Sequence, residues 1–270
     1  MPPAAAPGVS LLLALVTPRE RTRALVRRAF PRRAARILSV RSARDLRSMM
    51  RRELVDGVIV DLGNNPAEAW LAAECARDFP KQPFFAATPL WPTDAGTAAR
   101  CASLEMADLL VEGADDPAVR AIVTPSLFSL RFARALAEPP PELKLRSRLQ
   151  RDAWQQIVMR AGRGVRTADL ARALEVTREH LSRRFSEDGA PTLKRVIDLV
   201  RVLAAAELLK NPGHDVGAVS CALGFASSSH LSTTSRRVAN VRPSSLARLR
   251  AVDLLGRFGE VERDQDRPGA

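Results

Sequence analysis

Five short runs between residues 9 and 111 are apolar almost throughout: Val9–Val16, Ala34–Val40, Gly57–Leu62, Pro83–Thr88 and Ala107–Val111. Runs of this length without polar alternation are strands buried on both faces, as in a parallel sheet. Between them lie helix-period stretches: Arg19–Phe30, Ser42–Leu54, Pro66–Phe79, Thr93–Leu104 and Asp116–Val123. Ala43, Leu46, Met49/Met50 and Leu54 show the spacing. Five βα units with right-handed crossovers predict an α/β doubly wound, five-stranded parallel sheet for the N-terminal half. A further helical segment, Ser126–Ala137, extends the last helix beyond Pro125.

"EPPPE", residues 138–142, is a stiff break. Every periodic segment beyond it reads as helix, so the C-terminal half is predicted to be all-α. Leu145–Met159 leads. Thr167 is an N-cap with Asp169 in the first turn, and Leu170, Ala173 and Leu174 face inward. After a tight turn at Glu175–Val176, Thr177 caps a second helix, Arg178–Glu187, with Leu181 and Phe185 inward. Two short helices joined in this way form a helix-turn-helix. A long helix follows, Thr192 to Leu209, about 27 Å at 1.5 Å per residue. The unit then repeats. Asp215 caps a helix with Val219, Ala222 and Leu223 inward; Gly224-Phe225 turns; Ser227 caps the last helix, with Leu231 inward. A helix of that length holds two such units so that their second helices enter successive major grooves, about 34 Å apart.

Charge agrees with an anionic partner. The net charge is +12, and residues 141–270 carry 23 basic and 15 acidic groups against 19 and 15 in residues 1–140. The C-terminal half is therefore expected to be the polyanion binder. Three scattered cysteines, Cys75, Cys101 and Cys221, form neither a disulfide framework nor a metal motif, and a reducing cytoplasm is the simple reading. "VSLLLALV" has no basic residue before it and no small-residue cleavage site after it, so export is not expected. No run approaches transmembrane length, so no membrane partner is expected. His180 and His230 lack metal-ligand neighbours and read as interface or capping residues. No cofactor or metal is expected. No triad, metal cluster or carboxylate pair supports an enzyme.

The pieces "DLARALEVTREHLSRRF", "LVRVLAAAELLKN", "VSCALGF" and "VANVRPSSL" occur in the order and spacing of the AraC/XylS-type DNA-binding domain, and residues 146–250 resemble it. The resemblance implies a sequence-specific transcriptional regulator. It maps base-facing positions to Glu179, Ser182 and Arg183 in the first recognition helix and to Ser228, Ser229, Ser232 and Thr233 in the second. Arg183 is the strongest, since arginine binds guanine O6 and N7 in a bidentate way. Thr177, Arg178, Arg184, Ser227, Arg236 and Arg237 are phosphate candidates. Two departures stand out. Glu175 occupies a turn where the family has Gly, which implies backbone strain. Thr233 and Ser235 replace an arginine and an aromatic, which implies a weaker second unit.

"VDGVIVDLG", Val55 to Gly63, resembles the third strand of a response-regulator receiver over residues 8–124. Asp61 falls at the phosphoacceptor position and Thr88 at the hydroxyl position. The other chemistry differs. Leu15-Val16, then Thr17-Pro18, stand where receivers carry an acidic pair for magnesium, and Glu112 stands in place of a lysine. The expectation is a degenerate receiver whose Asp61 is unphosphorylated.

The domain organisation expected is therefore a receiver-like domain at 8–137, a Pro-rich linker at 138–145, a DNA-binding domain at 146–256 and a disordered tail at 257–270. Expected partners are double-stranded DNA, RNA polymerase and a second copy through the N-terminal domain. Two alternatives stay open at this stage: a protein-interaction module with weak or non-specific DNA binding, and a phosphorylation-dependent response regulator.

Overall fold

The computed structural model describes residues 11–63, 66–89 and 95–265. Contacts divide them into two compact units, residues 11–131 with 211–214, and residues 132–210 with 215–265.

In the first unit β1 (Leu11–Val16), α1 (Glu20–Ala29), β2 (Ala35–Val40), α2 (Ala43–Arg52), β3 (Gly57–Asp61), α3 (Pro66–Ala73), β4 (Phe84–Thr88), α4 (Ala95–Ser103), β5 (Asp108–Val111) and α5 (Asp116–Val123) alternate as the apolar runs predict. All four strand pairings are parallel and the order is β2-β1-β3-β4-β5. That is the doubly wound order with its switch point between β1 and β3. The period of two sends side chains to two cores. Leu12 and Ala14 of β1, Val58 and Val60 of β3 pack against Leu46 and Met50 of α2 and Ala72 of α3. Leu13 and Leu15, with Ile59 and Phe85, pack against Leu25 and Val26 of α1 and Val119 and Val123 of α5. Ser42 and Asp115 cap α2 and α5, accepting from Asp45 N and Ala118 N.

Boundaries differ in two places among the described residues. The expected Pro66–Phe79 helix tightens into a 3-10 turn at Glu74–Arg77. The first residues of the expected Val9–Val16 strand and Thr93–Leu104 helix lie outside the described residues. The helix ending at Val123 does not run on past Pro125. A 3-10 turn, Thr124–Ser126, intervenes, and α6 (Phe128–Ala135) starts anew, because Pro125 has no N–H to continue the ladder. Asp56 fixes that restart: its buried carboxylate accepts from Leu12 N at 2.7 Å and Ser129 N at 3.0 Å.

The second unit continues with α7 (Arg148–Met159), α8 (Thr167–Ala173), α9 (Arg178–Phe185), α10 (Leu193–Leu208), α11 (Val216–Ala222), α12 (Ser228–Ala239), α13 (Pro243–Leu246) and α14 (Ala251–Gln265). Its boundaries also depart from those read in the sequence. The division falls after Arg131, ahead of the Pro-rich stretch. Leu136 belongs to the helical unit because its carbonyl accepts from the buried Trp154 Nε1 at 2.8 Å. Within 138–145, Pro141–Leu143 is a 3-10 turn with Leu143 fully buried. Residues 257–265 are helical instead of disordered. Leu254 and Phe258 are fully buried, and Glu262 pairs with Arg195 of α10.

Three caps follow the sequence reading. Thr177 accepts from His180 N, Asp215 from Ala218 N and Ser227 from His230 N. Thr167 does not cap α8: it is the first helical residue, and Arg166 is the N-cap without a side-chain bond. Ser147 and Gln150 form a reciprocal capping box at the start of α7.

Candidate functional site

Two local structures concern function: the exposed faces of α9 and α12 in the helical unit, and the carboxylate site at the strand C-termini of the α/β unit.

In α9 Leu181 and Phe185 are fully buried, which turns the opposite face outward. Glu179, Ser182 and Arg183 lie on that exposed face, at the i, i+3, i+4 spacing that puts them side by side. No carboxylate pairs with Arg183 or Arg178 among the described residues, so both guanidinium groups face solvent. Arg184 is engaged by Glu187 at 2.9 Å. Thr177 Oγ1 is the cap acceptor, which leaves its hydroxyl proton to donate.

In α12 Ser228, Ser229 and Thr233 are exposed and Ser232 is half-buried. Ser227 caps from below them. Arg236 is exposed without a carboxylate partner among the described residues. Arg237 is not a free cation: it bonds the mostly buried Asp198 of α10 at 2.5 Å. This pair ties α12 to α10, while the Arg237 side chain stays partly exposed. His180 is exposed. His230 supports the turn, accepting from Ala226 N at 3.4 Å with its ring edge-on to Phe225.

The two turns solve one problem in two ways. Gly224 sits at φ +67°, a left-handed conformation open to glycine. Glu175 holds φ +56° at the same place in the first unit. The second turn also carries a support that the sequence reading missed. Arg201, from the middle of α10, lays its guanidinium 3.8 Å from the centroid of Phe225 and donates to Gly224 O at 2.8 Å. It thereby satisfies a carbonyl at the end of α11 while stacking on an aromatic face. Burial holds its pKa below the ordinary arginine value. Ser235, where the resemblance led to expect an aromatic, is fully buried. Its hydroxyl reaches Val241 O at 2.9 Å and so fastens the end of α12 to the turn before α13.

At the C-terminal ends of β1, β3 and β5 the charges are the reverse of a phosphoacceptor site. Asp61 is 1% exposed. Arg19, from the loop after β1, grips both its oxygens, with Nε 2.7 Å from Oδ2 and a second nitrogen against Oδ1. The same guanidinium also pairs with Glu112 at the end of β5. Thr17 Oγ1 donates to Asp61 Oδ2 at 2.5 Å, and Gly63 N donates to Oδ1 at 3.0 Å. Burial alone pushes the Asp61 carboxyl up. The Arg19 and Thr17 hydrogen bonds outweigh it and hold the carboxyl below its ordinary value. Asp61 in turn raises Arg19. The Arg19 guanidinium lies where a Cβ on Gly63 would stand, so a side chain there would displace it. Thr88 is buried at the end of β4 and donates to Pro89 O at 3.4 Å, so it does not bond Asp61. Sequence reasoning placed Asp61 and Glu112 here and overlooked Arg19. The available signal was a lone cation following Thr17-Pro18, where a receiver has acids, opposite an acid that otherwise had no partner.

No group of metal-ligating side chains occurs among the described residues. None of their helices is long and apolar enough to cross a membrane. Burial raises both Cys75, to about 11, and Cys101.

No curated protein is significantly similar to the chain. Among solved structures, full-length FixJ from B. japonicum is 12% identical, covering 69% of this chain and 93% of its own, with a TM-score of 0.37. A response regulator from Burkholderia pseudomallei with a phosphorylated aspartic acid is 17% identical, covering 66% and 100%, with a TM-score of 0.37. RcsB from Salmonella enterica serovar Typhimurium, bound to promoter rprA, is 10% identical, covering 70% and 98%, with a TM-score of 0.35. The architecture of the α/β unit therefore rests on its own strand order. Residues 170–248, from α8 through α13, match the family model described as a helix-turn-helix domain.

Proposed function

We propose that the chain is a sequence-specific DNA-binding transcriptional regulator of the AraC type. The observation that carries this is the pair of exposed helix faces, α9 and α12, each led by a capped turn within one matched helix-turn-helix segment. Glu179, Ser182 and Arg183 would read bases from α9; Ser228, Ser229, Ser232 and Thr233 would do so from α12. Arg178 and Arg236, without a carboxylate partner among the described residues, would meet phosphates, with the hydroxyls of Thr177 and Ser227 beside them. Arg183 is the main base reader. Replacing it with alanine is expected to cost about 1–3 kcal/mol on the preferred duplex and to relax preference at one base pair. An equal loss on every duplex sequence would remove it from base reading.

Aspartyl phosphorylation does not control this regulator in our reading. A phosphoacceptor carboxylate must present a lone pair to the donor beside a magnesium ion held by hard oxygen ligands. Both oxygens of Asp61 are taken by Arg19, Thr17 and Gly63 N, and the residues where those ligands would stand are Leu15 and Val16. Arg19 supplies internally the positive charge that a metal would bring. The α/β unit then acts through contacts with other molecules, without a phosphorylation cycle. Acetyl phosphate is expected to leave Asp61 unmodified by intact mass; a gain of one phosphoryl group, lost in Asp61→Ala, would reinstate the phosphorylation-dependent reading.

A further inference from the structure

The positive charge of the α/β unit is not spread over it. Residues 19–52 contain 13 arginines and two acids, whereas residues 53–140 contain six basic and 13 acidic residues. A general preference for arginine would be distributed along the chain; this excess is confined to α1, β2 and α2.

The topology gathers much of it at one corner. β2 is an edge strand of the sheet. In a parallel βαβ unit α1 returns to the N-terminal end of β2, and α2 returns to that same end from the other face. Arg27 lies in the last turn of α1, Arg32 and Arg33 in the turn before β2, Arg36 in β2, and Arg52 at the end of α2. An Arg36–Glu53 pair at 3.8 Å ties the end of α2 to the start of β2. All five arginines are exposed. Arg27 and Arg36 have only long, exposed pairs, at 3.9 and 3.8 Å, which contribute little. Arg32, Arg33 and Arg52 have no carboxylate partner among the described residues. Helix dipoles account for Arg27 and Arg52, and protection of a bare sheet edge accounts for Arg36. Neither accounts for Arg32 and Arg33, which add mutual repulsion in a turn.

We propose that this corner is a second polyanion-binding surface, one that grips the phosphate backbone of duplex DNA without reading bases. The proposal rests on the DNA-binding function argued above. A repeating line of phosphates matches clustered arginines, three of which have no carboxylate partner among the described residues, and neutralising it releases condensed counterions. Covalent linkage to the helix-turn-helix segment makes the second contact intramolecular once the first has formed. A lipid surface fits less well. The large exposed apolar side chains of the described residues are Leu71, Val111 and Val252, none of them in this corner, so nothing there would anchor in a bilayer.

The test compares full-length protein with its Arg32→Gln/Arg33→Gln/Arg52→Gln variant. Affinity for duplex DNA is measured against salt concentration, alongside Arg183→Ala. Each lost phosphate contact lowers the salt slope by about 0.9. The triple variant is expected to lose about 2 to 3 from the slope, to weaken on preferred and random duplexes alike, and to keep its base preference. An unchanged slope in the triple variant, while Arg183→Ala still relaxes base preference, would overturn the proposal and leave the regulator reading standing. An unchanged slope together with lost binding to phosphatidylserine–phosphatidylcholine vesicles would assign the corner to lipid and equally overturn it. Absence of any duplex binding by the unaltered protein would sink the regulator reading and this surface with it. The three positions are exposed, so identical circular dichroism and unfolding midpoints are expected to show that the variant folds.

Discussion

At the residue scale the α/β unit turns on Arg19. Removing it leaves the Asp61 carboxylate buried with two neutral hydrogen-bond donors, so Arg19→Ala is expected to cost about 3 kcal/mol at neutral pH, read by chemical denaturation. The Arg19→Ala/Asp61→Ala double variant is expected to recover part of that loss, because it also removes the stranded charge. If the double variant is no more stable than the single one, the carboxylate is not the source of the cost. The folded Asp61 carboxyl lies below its ordinary value of 3.8, so the unfolded chain takes up its proton first as pH falls. The pair therefore contributes fully at neutral pH, and its contribution fades at pH values below about 3.8, through the folded carboxyl's own titration. Two residues in the helical unit work against stability. Glu175 holds a left-handed backbone, and Glu175→Gly is expected to raise stability by about 1 kcal/mol. Thr234 buries a hydroxyl without a hydrogen-bond partner, and Thr234→Val is expected to gain a similar amount. A fall in the unfolding midpoint for either would contradict the local account. Glu175 was legible in the sequence because it stands beside a helix end where glycine is the usual solution. Thr234 was not, because whether a hydroxyl finds a partner depends on residues distant in the chain.

At the element scale the apolar runs gave the strands to within a residue or two, and period 3.6 gave most helices. Both signals are local: burial on two faces forbids polar alternation, and burial on one face imposes a stripe. The misses came from tertiary contacts. The stretch after residue 256 reads as polar because only Phe258 and a few small or charged residues face the core. Yet Phe258 is fully buried, and Arg195 reaches both its ring and Glu262. Ending the chain at residue 256 would cut α14 in half. Phe258→Ala is expected to destabilise the helical unit by about 3–5 kcal/mol, measured by urea unfolding; a loss under 1 kcal/mol would return the segment to a dispensable tail. Arg201 shows the same limit. In sequence it is one cation in an apolar helix, and only the fold brings it to Phe225 and the Gly224 carbonyl, 23 residues on.

For the whole molecule, averaging charge by halves hides a local pattern. Counting by halves assigned polyanion binding to the C-terminal half. The α/β unit looked nearly neutral only because its basic and acidic stretches follow one another. The receiver-like pattern was likewise half legible. Asp61 and Glu112 could be placed from strand ends, but their pairing through Arg19 required the sheet order that brings β1 between β2 and β3. Asp61 lies at the C-terminal end of β3, outside both the helix-turn-helix segment and the arginine corner at the N-terminal end of β2, so Asp61→Ala is expected to leave duplex affinity and base preference unchanged. The most direct measurement is selection of bound DNA from a random duplex pool, with the full-length protein at near-physiological salt. Two conserved half-sites about one helical turn apart are predicted, one for each of α9 and α12. Recovery of sequences with no shared motif would contradict the central claim that the chain reads DNA bases.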